Sequence, residues 1–471
     1  MLPAPRNYAV WPSVVPADKE CEIVIYPTEK AFMFFENEEY NITVIDVNGD
    51  EPNYYSISAH KYINVVAHDG VLKFSYTFES EGEHTLALSY KEKKVQDLSV
   101  FSLYEDLYAL TPLRGDFHGH SYRSDGKRDP AALAGHYREQ GYDFFSLTDH
   151  NRFYPGGEID ETYEGVELGI VRIPGEEVHT PINMIHVVHV GGKESVADLY
   201  VKNREQYEKE IAEYTKQVPA DIDEAYIDRY AKISWATDRI HERGGIAIFA
   251  HPYWIPGASK MYNVHDDLAR LLLKCGRFDA YELIGGVTQP ELNRSVALWG
   301  DVRAEGTNIP VVGSSDIHKF EKSDFFPYYF TICFADGKNV DSIVDSVRRG
   351  NSVAVEATGY EYDIQYRCYG SLRLVTYAHF LLKNYFPQLQ RICQGEGVAM
   401  RAYAMNDADA SLIESQVAQT NKFTARFFGK LPPKLPDQKM IEFEERWRKV
   451  QLDGPHTKGS GLDLATVSRQ I

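Results

Sequence analysis

Histidine and carboxylate side chains are concentrated in the middle of this sequence. Eleven of its sixteen histidines lie between His118 and His318, and several of them end short apolar runs that resemble strands. Imidazole and carboxylate groups are common ligands of divalent metal ions. In (β/α) barrels, the reactive groups lie at the C-terminal ends of strands. This placement therefore indicates a metal-dependent active site.

Two pairs of candidate ligands have a spacing of two residues. The first is His118 and His120 in DFHGH, and the second is Asp316 and His318 in SSDIH. Because residues i and i+2 of an extended strand point to the same face, each pair can bind one ion together. Asp125, in the SDG segment that follows the first pair, offers a further oxygen ligand.

The segment around residue 180 leaves two alternatives open. Glu176 and Glu177 are adjacent in GEEV and point opposite ways in a strand, so one of them can bridge two cations. His186 and His189 are three residues apart and also face opposite ways. One of these histidines can be a ligand, whereas the other would be a structural histidine.

Single histidines end two further strand-like runs. His150 closes DFFSLTDH, and His251 closes IAIFAH. Arg152, just after the first of these, and Lys319 are placed to contact a phosphate group, although both are equally compatible with solvated surface charge. His179 lies close to Glu177 without an assigned role.

Taken in order, the motifs HxH, SDG, TDHN, GEEV, a histidine before a V-x-x-x-G turn, AHP and SSDIH are similar to those of the PHP (polymerase and histidinol phosphatase) family of metal-dependent phosphoesterases. The resemblance covers roughly residues 112 to 355. Each motif is short, and the match rests on their common order.

The resemblance implies an α/β fold, a distorted (β/α)7 TIM-like barrel with two to three divalent ions, and it favours Glu177 and His186 over their neighbours. Zinc, manganese and iron all occur in the family. The implied ligands of the first ion are His118, His120, Glu177 and Asp316; of the second Glu177, His186 and His251; and of the third Asp125, His150 and His318. Candidate catalytic residues are Asp316 and His318, for proton transfer, and Arg152, for contact with phosphate.

The regions around this barrel differ in texture. Residues 1–110 contain short runs rich in Val, Ile, Tyr and Thr separated by turns, which predict a β-sandwich-like accessory domain. Residues 111–355 alternate strand-like and helical runs, as expected of the hydrolase domain. Residues 356–471 look helical and amphipathic, and they are expected to form a C-terminal extension that could provide a homo-oligomer interface.

Composition narrows the partners. The 471-residue chain has a formal net charge of -19, which repels a phosphate backbone and argues against binding of long nucleic acid. Its five cysteines are scattered, without a thiolate zinc pattern. We find no signal peptide and no run apolar enough to span a membrane, so a cytoplasmic protein without membrane partners is expected.

The function that the sequence favours is hydrolysis of a small phosphate ester by a metal-activated hydroxide at a di- or trinuclear site. Alternatives are an exonuclease-like hydrolase of short oligonucleotides or nucleotide phosphates, a related hydrolase of amides, and a scaffold protein with a vestigial metal site. All nine ligand positions carry competent side chains, which disfavours the vestigial alternative.

Overall fold

The computed structural model of this chain describes residues 6–49, 60–257, 259–320, 325–359 and 364–453. The chain divides into two compact units. One unit contains residues 1–109 and 421–471, and the other contains residues 110–420. The sequence predicts boundaries near residues 110 and 355, and this division into three regions stays a prediction.

The first unit is built mainly from strands. In the described residues before 110 these elements are β1 (Tyr8–Trp11), β2 (Val14–Pro16), β3 (Glu20–Pro27), β4 (Glu39–Asp46), β5 (Lys61–Val66), β6 (Leu72–Thr77), β7 (Gly82–Tyr90), β8 (Lys93–Leu103) and α1 (Glu105–Tyr108). They form two sheets, with strand orders β1-β3-β6 and β2-β8-β7-β4-β5. Buried side chains such as Ile23 and Ile25 from one sheet and Ile42 and Leu88 from the other share one hydrophobic core.

The second unit alternates strands and helices. Its strands are β9 (Thr111–Asp116), β10 (Phe144–Ser146), β11 (Val171–Ile173), β12 (Gly175–Val178), β13 (Val187–Val190), β14 (Ile246–Phe249), β15 (Ala280–Ile284), β16 (Val311–Gly313), β17 (Tyr329–Ala335), β18 (Ser352–Thr358) and β19 (Gln365–Tyr369). The helices are α2 (Pro130–Glu139), α3 (Pro155–Thr162), α4 (Ala197–Lys202), α5 (Arg204–Lys216), α6 (Ile227–Glu242), α7 (Asp266–Lys274), α8 (Gln289–Ala304), α9 (Val340–Arg348), α10 (Leu372–Asn384), α11 (Phe386–Ala404), α12 (Ala410–Phe427) and, in the first unit, α13 (Gln438–Asp453).

Two sheets carry the strands of the second unit. Their orders are β11-β10-β9-β17-β18-β19 and β12-β13-β14-β15-β16, and β13 runs antiparallel to both of its neighbours. Two isolated bridges connect these sheets. Gly119, after β9, pairs with Ile317, after β16, and His150, after β10, pairs with Glu177 in β12. The mixed α/β architecture predicted from the sequence is confirmed.

Local sequence explains the elements that lead into the site. The Asp129 side chain accepts a hydrogen bond from the Ala132 amide and caps α2, and Pro130 occupies the first turn, where its missing N–H costs nothing. Gly141, with φ of +79°, follows the end of this helix. All four side chains of β14 are buried, as its continuous apolar run predicts.

The chain after residue 355 contains more than the expected helices. β19 pairs antiparallel with β18, with Val355 opposite Cys368. The helical pattern that begins near Leu372 obscured this short strand, because its place depends on pairing with β18 rather than on its own periodicity. No helix of the described residues is both long and apolar enough to cross a membrane.

The C-terminal helix α11 packs closely on α2. A Cβ atom added to Gly397 would lie 2.4 Å from the carbonyl oxygen of Gly135, so only glycine permits this approach. Beside this contact, the fully buried Arg138 donates from Nε to Glu396 Oε2 at 2.7 Å. The helix therefore belongs to the core of the second unit.

Candidate metal centre

The loops after β9 and β16 bring four predicted ligands together. Backbone hydrogen bonds join the two loops, because Asp316 N donates to His118 O and His120 N donates to Ile317 O. His118 Nε2 and His120 Nε2 lie 3.2 Å apart, and Asp316 Oδ1 lies 3.3 and 3.0 Å from them, respectively. Asp316 has a φ of +51°, a conformation that non-glycine residues adopt rarely and that often marks functional sites.

Glu177 lies at the middle of the centre and is 0% exposed. Six imidazole nitrogens surround its carboxylate. On the Oε2 side these are His118 Nε2 at 3.4 Å, His120 Nε2 at 3.4 Å and His150 Nδ1 at 2.7 Å; on the Oε1 side they are His186 Nδ1 at 2.7 Å, His251 Nε2 at 3.3 Å and His179 Nε2 at 3.4 Å. Each oxygen thus faces its own set of three histidines, an arrangement suited to a carboxylate that bridges two cations.

A third group lies at the more exposed side. Asp125 Oδ2 is 3.4 Å from His150 Nε2, and Asp125 Oδ1 is 3.3 Å from His318 Nε2. Burial alone would raise the pKa of Asp125, but its contacts with the two histidines outweigh burial and hold this pKa well below its usual range. Burial opposes protonation of the histidines, yet contacts with Asp125 and Glu177 raise the pKa of His150 to about 10, and contacts with Asp125 and Asp316 raise that of His318 to about 9.

The residues of this centre fit divalent metal ions. Five overlapping groups of at least three metal-binding side chains have ligand atoms within 4.8 Å of one another, and together they contain all nine predicted ligands and His179. Among the described residues, no hydrogen bond of normal geometry reaches either oxygen of Glu177 or His186 Nδ1, although these atoms are buried. Buried polar atoms normally have partners, so this cluster of unpaired donors and acceptors is what an ion site requires.

Glu176 and His189 lie on the opposite face of β12 and β13. Glu176 Oε1 accepts from the Val196 amide at 2.5 Å and lies 3.2 Å from His189 Nδ1, while Glu176 Oε2 accepts from Ser195 Oγ at 2.8 Å. The structure thus brings Glu177 and His186 into the cluster, whereas Glu176 anchors the start of α4. Their binding of metal stays a prediction.

Two buried carboxylates hold the loops that carry ligands. Asp149 accepts from Ser121 N at 2.9 Å, Ser121 Oγ at 2.7 Å and Ser124 Oγ at 2.5 Å, and so fixes the loop that ends in Asp125. Asp116 accepts from His118 N at 3.1 Å and Ser315 N at 3.1 Å. Neither aspartate has a role that the sequence predicts.

The two candidate phosphate-contacting residues are adjacent in sequence to motifs that carry predicted ligands. Arg152 is exposed, and its guanidinium donates to the carbonyl oxygen of Arg123. Lys319 follows His318 and is partly buried. Tyr253 is 1% exposed and belongs to the core, whereas the Trp254 ring lies 5.6 Å from that of His186.

His179 is the tenth member of the cluster. Its ring stacks on that of His186 with centroids 3.7 Å apart, and its Nε2 lies 3.1 Å from His150 Nδ1. A signal for it was present in the sequence, because Glu177 and His179 share the two-residue spacing that placed His118 beside His120.

Neither a protein-family model nor a curated protein matches this chain. Solved structures similar to it include a two-domain protein from Bacteroides vulgatus described as containing a predicted PHP-like metal-dependent phosphoesterase (18% identity, 56% of this chain and 76% of that chain covered, TM-score 0.36). Another, from Bifidobacterium adolescentis, is described as a candidate metal-dependent phosphoesterase (16% identity, 43% and 87% covered, TM-score 0.31).

A third is an amidohydrolase from Chromobacterium violaceum with bound sulfate and no metal (17% identity, 45% of this chain and 89% of that chain covered, TM-score 0.30). The descriptions of these neighbours thus name a predicted PHP-like metal-dependent phosphoesterase, a further metal-dependent phosphoesterase and an amidohydrolase.

Proposed function

We propose that this protein is a metal-dependent phosphoesterase of the PHP type that hydrolyses a small phosphate ester at a centre of two to three divalent ions. The observation that carries the proposal is the position of Glu177, whose two oxygens each face three imidazole nitrogens. The bridges at Gly119–Ile317 and His150–Glu177 support a closed, seven-stranded barrel around this residue.

The proposal assigns each of the nine candidate ligands to one or two of the three ions. Glu177 would be shared by the first two ions, with His118, His120 and Asp316 completing the first set and His186 and His251 the second. Asp125, His150 and His318 would hold the third. When bound, zinc, manganese or iron would supply a nucleophile from water near neutral pH and offset the charge of the phosphoryl oxygens.

Asp316 and His318 are the proposed sites of proton transfer, because Asp316 is 15% exposed in its side chain and His318 is 31% exposed, enough to meet a substrate. Arg152 is the proposed contact for the phosphate group. The acidic charge of the chain supports a small substrate rather than a long nucleic acid.

The test combines metal analysis with turnover. The purified protein is analysed for bound metal by plasma mass spectrometry and assayed with p-nitrophenyl phosphate, bis(p-nitrophenyl) phosphate and short oligonucleotides. We expect two to three ions per chain and turnover of a phosphoester, both lost in His118→Ala/His120→Ala. The control His68→Ala/His265→Ala removes two histidines with 64% exposed side chains outside the cluster and should keep both properties.

Other outcomes would redirect the assignment. Bound metal without phosphoester turnover would favour an amide hydrolase or a scaffold, and turnover of oligonucleotides alone would favour an exonuclease-like activity. Absence of bound metal after reconstitution would overturn the proposal.

A further inference from the structure

The strand β15 contributes none of the nine predicted ligands, yet it places a carboxylate against the centre. Glu282 is 1% exposed, and all five side chains of β15 are buried. A buried carboxylate is costly unless it is paired or hydrogen-bonded. Glu282 therefore needs a reason to be where it is.

Its partner is the first of the predicted ligands. Glu282 Oε2 lies 2.9 Å from His118 Nδ1, and both side chains are fully buried. A carboxylate accepts hydrogen bonds only, so His118 carries a proton on Nδ1 in this contact. The other ring nitrogen, Nε2, then points at Glu177 Oε2 and Asp316 Oδ1, which lie 3.4 and 3.3 Å away.

The turn that follows β15 supports a second ligand of the same ion. A Cβ atom added to Gly286 would lie 2.3 Å from the Cβ of Asp316, and one added to Gly285 would lie 2.4 Å from Glu282 Oε1. Two consecutive glycines thus let the backbone approach the two carboxylates that flank His118. Any larger side chain at Gly286 would displace Asp316.

We propose that Glu282 is a positioning residue that fixes the tautomer and orientation of His118, so that Nε2 is presented to the first cation, and that Gly286 keeps Asp316 in the same ligand set. The inference rests on the metal centre of the proposed function but not on its substrate. Carboxylates that receive the second N–H of a metal-binding histidine orient the ring and raise its basicity, and their loss commonly costs 10- to 100-fold in metal affinity.

The experiment measures cation affinity rather than turnover. Full-length wild type, Glu282→Gln and Glu282→Leu are freed of metal and titrated with Co²⁺ in competition with a chelator, and the visible absorption of the bound Co²⁺ is recorded. We expect the affinity for the first cation to fall roughly 10- to 100-fold in Glu282→Leu, and less in Glu282→Gln, which keeps an acceptor. The Co²⁺ spectrum should change with it.

The matched control is Glu356→Gln. Glu356 lies on β18, is also 1% exposed and pairs with Arg367 at 3.2 Å, and it touches none of the predicted ligands. It should bind Co²⁺ like wild type. Gly286→Ala should weaken binding, whereas Gly300→Ala, where an added Cβ has no atom within 4 Å, should not.

The outcomes separate this inference from the proposed function. The positioning role would be overturned if both Glu282 variants bind Co²⁺ with an affinity within about twofold of that of Glu356→Gln and with the same spectrum. This outcome would not affect the proposed phosphoester hydrolysis. If Glu282→Leu fails to fold, the isosteric Glu282→Gln decides the matter by the same criterion. If the Glu282 variants lose Co²⁺ affinity but the wild-type protein hydrolyses no phosphoester, the proposed function alone is overturned.

Discussion

Ser315 donates its hydroxyl to Asp116 Oδ2 at 2.5 Å, and this contact joins the end of β9 to the loop after β16. The two segments are separated by 199 positions in the sequence, and each carries two predicted ligands. Besides the backbone hydrogen bonds between the HxH and DIH motifs, a side-chain hydrogen bond between two residues outside the predicted ligand set therefore holds these motifs together.

The first prediction concerns this link. Ser315→Ala should lower the free energy of unfolding by about 1–3 kcal/mol, because Asp116 loses a hydrogen bond in a buried site. Ser314→Ala is the matched control, since Ser314 is equally buried and its hydroxyl has no partner among the described residues. Denaturant unfolding of the two metal-free variants measures both values, and equal losses would contradict the role given to Ser315.

The second prediction compares neighbouring glutamates. Glu177→Gln should bind at most one ion, because it removes the charge shared by two ligand sets. Glu176→Gln should keep its metal but lose about 1–3 kcal/mol of stability, because Glu176 accepts hydrogen bonds from Val196 and Ser195. Metal analysis beside denaturant unfolding would separate the two residues, and the reverse pattern would exchange their assignments.

The third prediction concerns metal removal. Ions that bind only the folded state stabilise it by about 2.7 kcal/mol for each site at a free concentration 100 times the Kd. A chelator should therefore lower the Tm of the wild type, and added Zn²⁺ or Mn²⁺ should restore it. The Tm of His118→Ala/His120→Ala should respond much less. Identical shifts in both proteins would place the stabilising ions elsewhere.

The fourth prediction uses a histidine outside the centre. Burial, followed by the charges of Arg401 and Arg128, lowers the pKa of His136 on α2 to about 4, whereas Glu139 and Asp129 act in the opposite direction. Arg401 Nη1 lies 3.0 Å from its Nδ1, and the ring packs on Phe320. Because the unfolded state binds the proton more tightly, the free energy of unfolding has its full value above about pH 6.5. It decreases as the pH falls towards 4.

His136→Gln keeps an acceptor for Arg401 and removes the titration. Its free energy of unfolding should therefore fall less than that of the wild type between pH 6.5 and 4. Denaturant unfolding at several pH values measures the difference between the two curves, and parallel curves would show that His136 does not titrate in this window.

Local motifs in the sequence predicted nine of the ten side chains that the structure brings together. Spacing within DFHGH and SSDIH determines which side chains share a face, whereas the same spacing between Glu177 and His179 was not used to predict a role for His179. The order of motifs supplied the rest through resemblance to a known family. The mixed α/β architecture followed from alternating apolar and helical runs.

Other features could not be predicted from the sequence, since they depend on contacts between distant segments. Glu282 meets His118 across 164 positions, and nothing in YELIGG distinguishes it from a surface glutamate. The short strand β19 depends on an exposed edge of β18. The close packing of α11 on α2 depends on Gly135 and Gly397, and the sequence does not show that these two glycines are in contact.

The pairing of Arg138 with Glu396 links the fate of the metal centre to that of the C-terminal helices. A chain cut at residue 355 would retain the nine predicted ligands but would lose α11, and with it the nearest carboxylate of Arg138 and the close packing on α2. Gene fission or domain shuffling at that point would give two unstable products. The ligand motifs and helix α11 must therefore be inherited together.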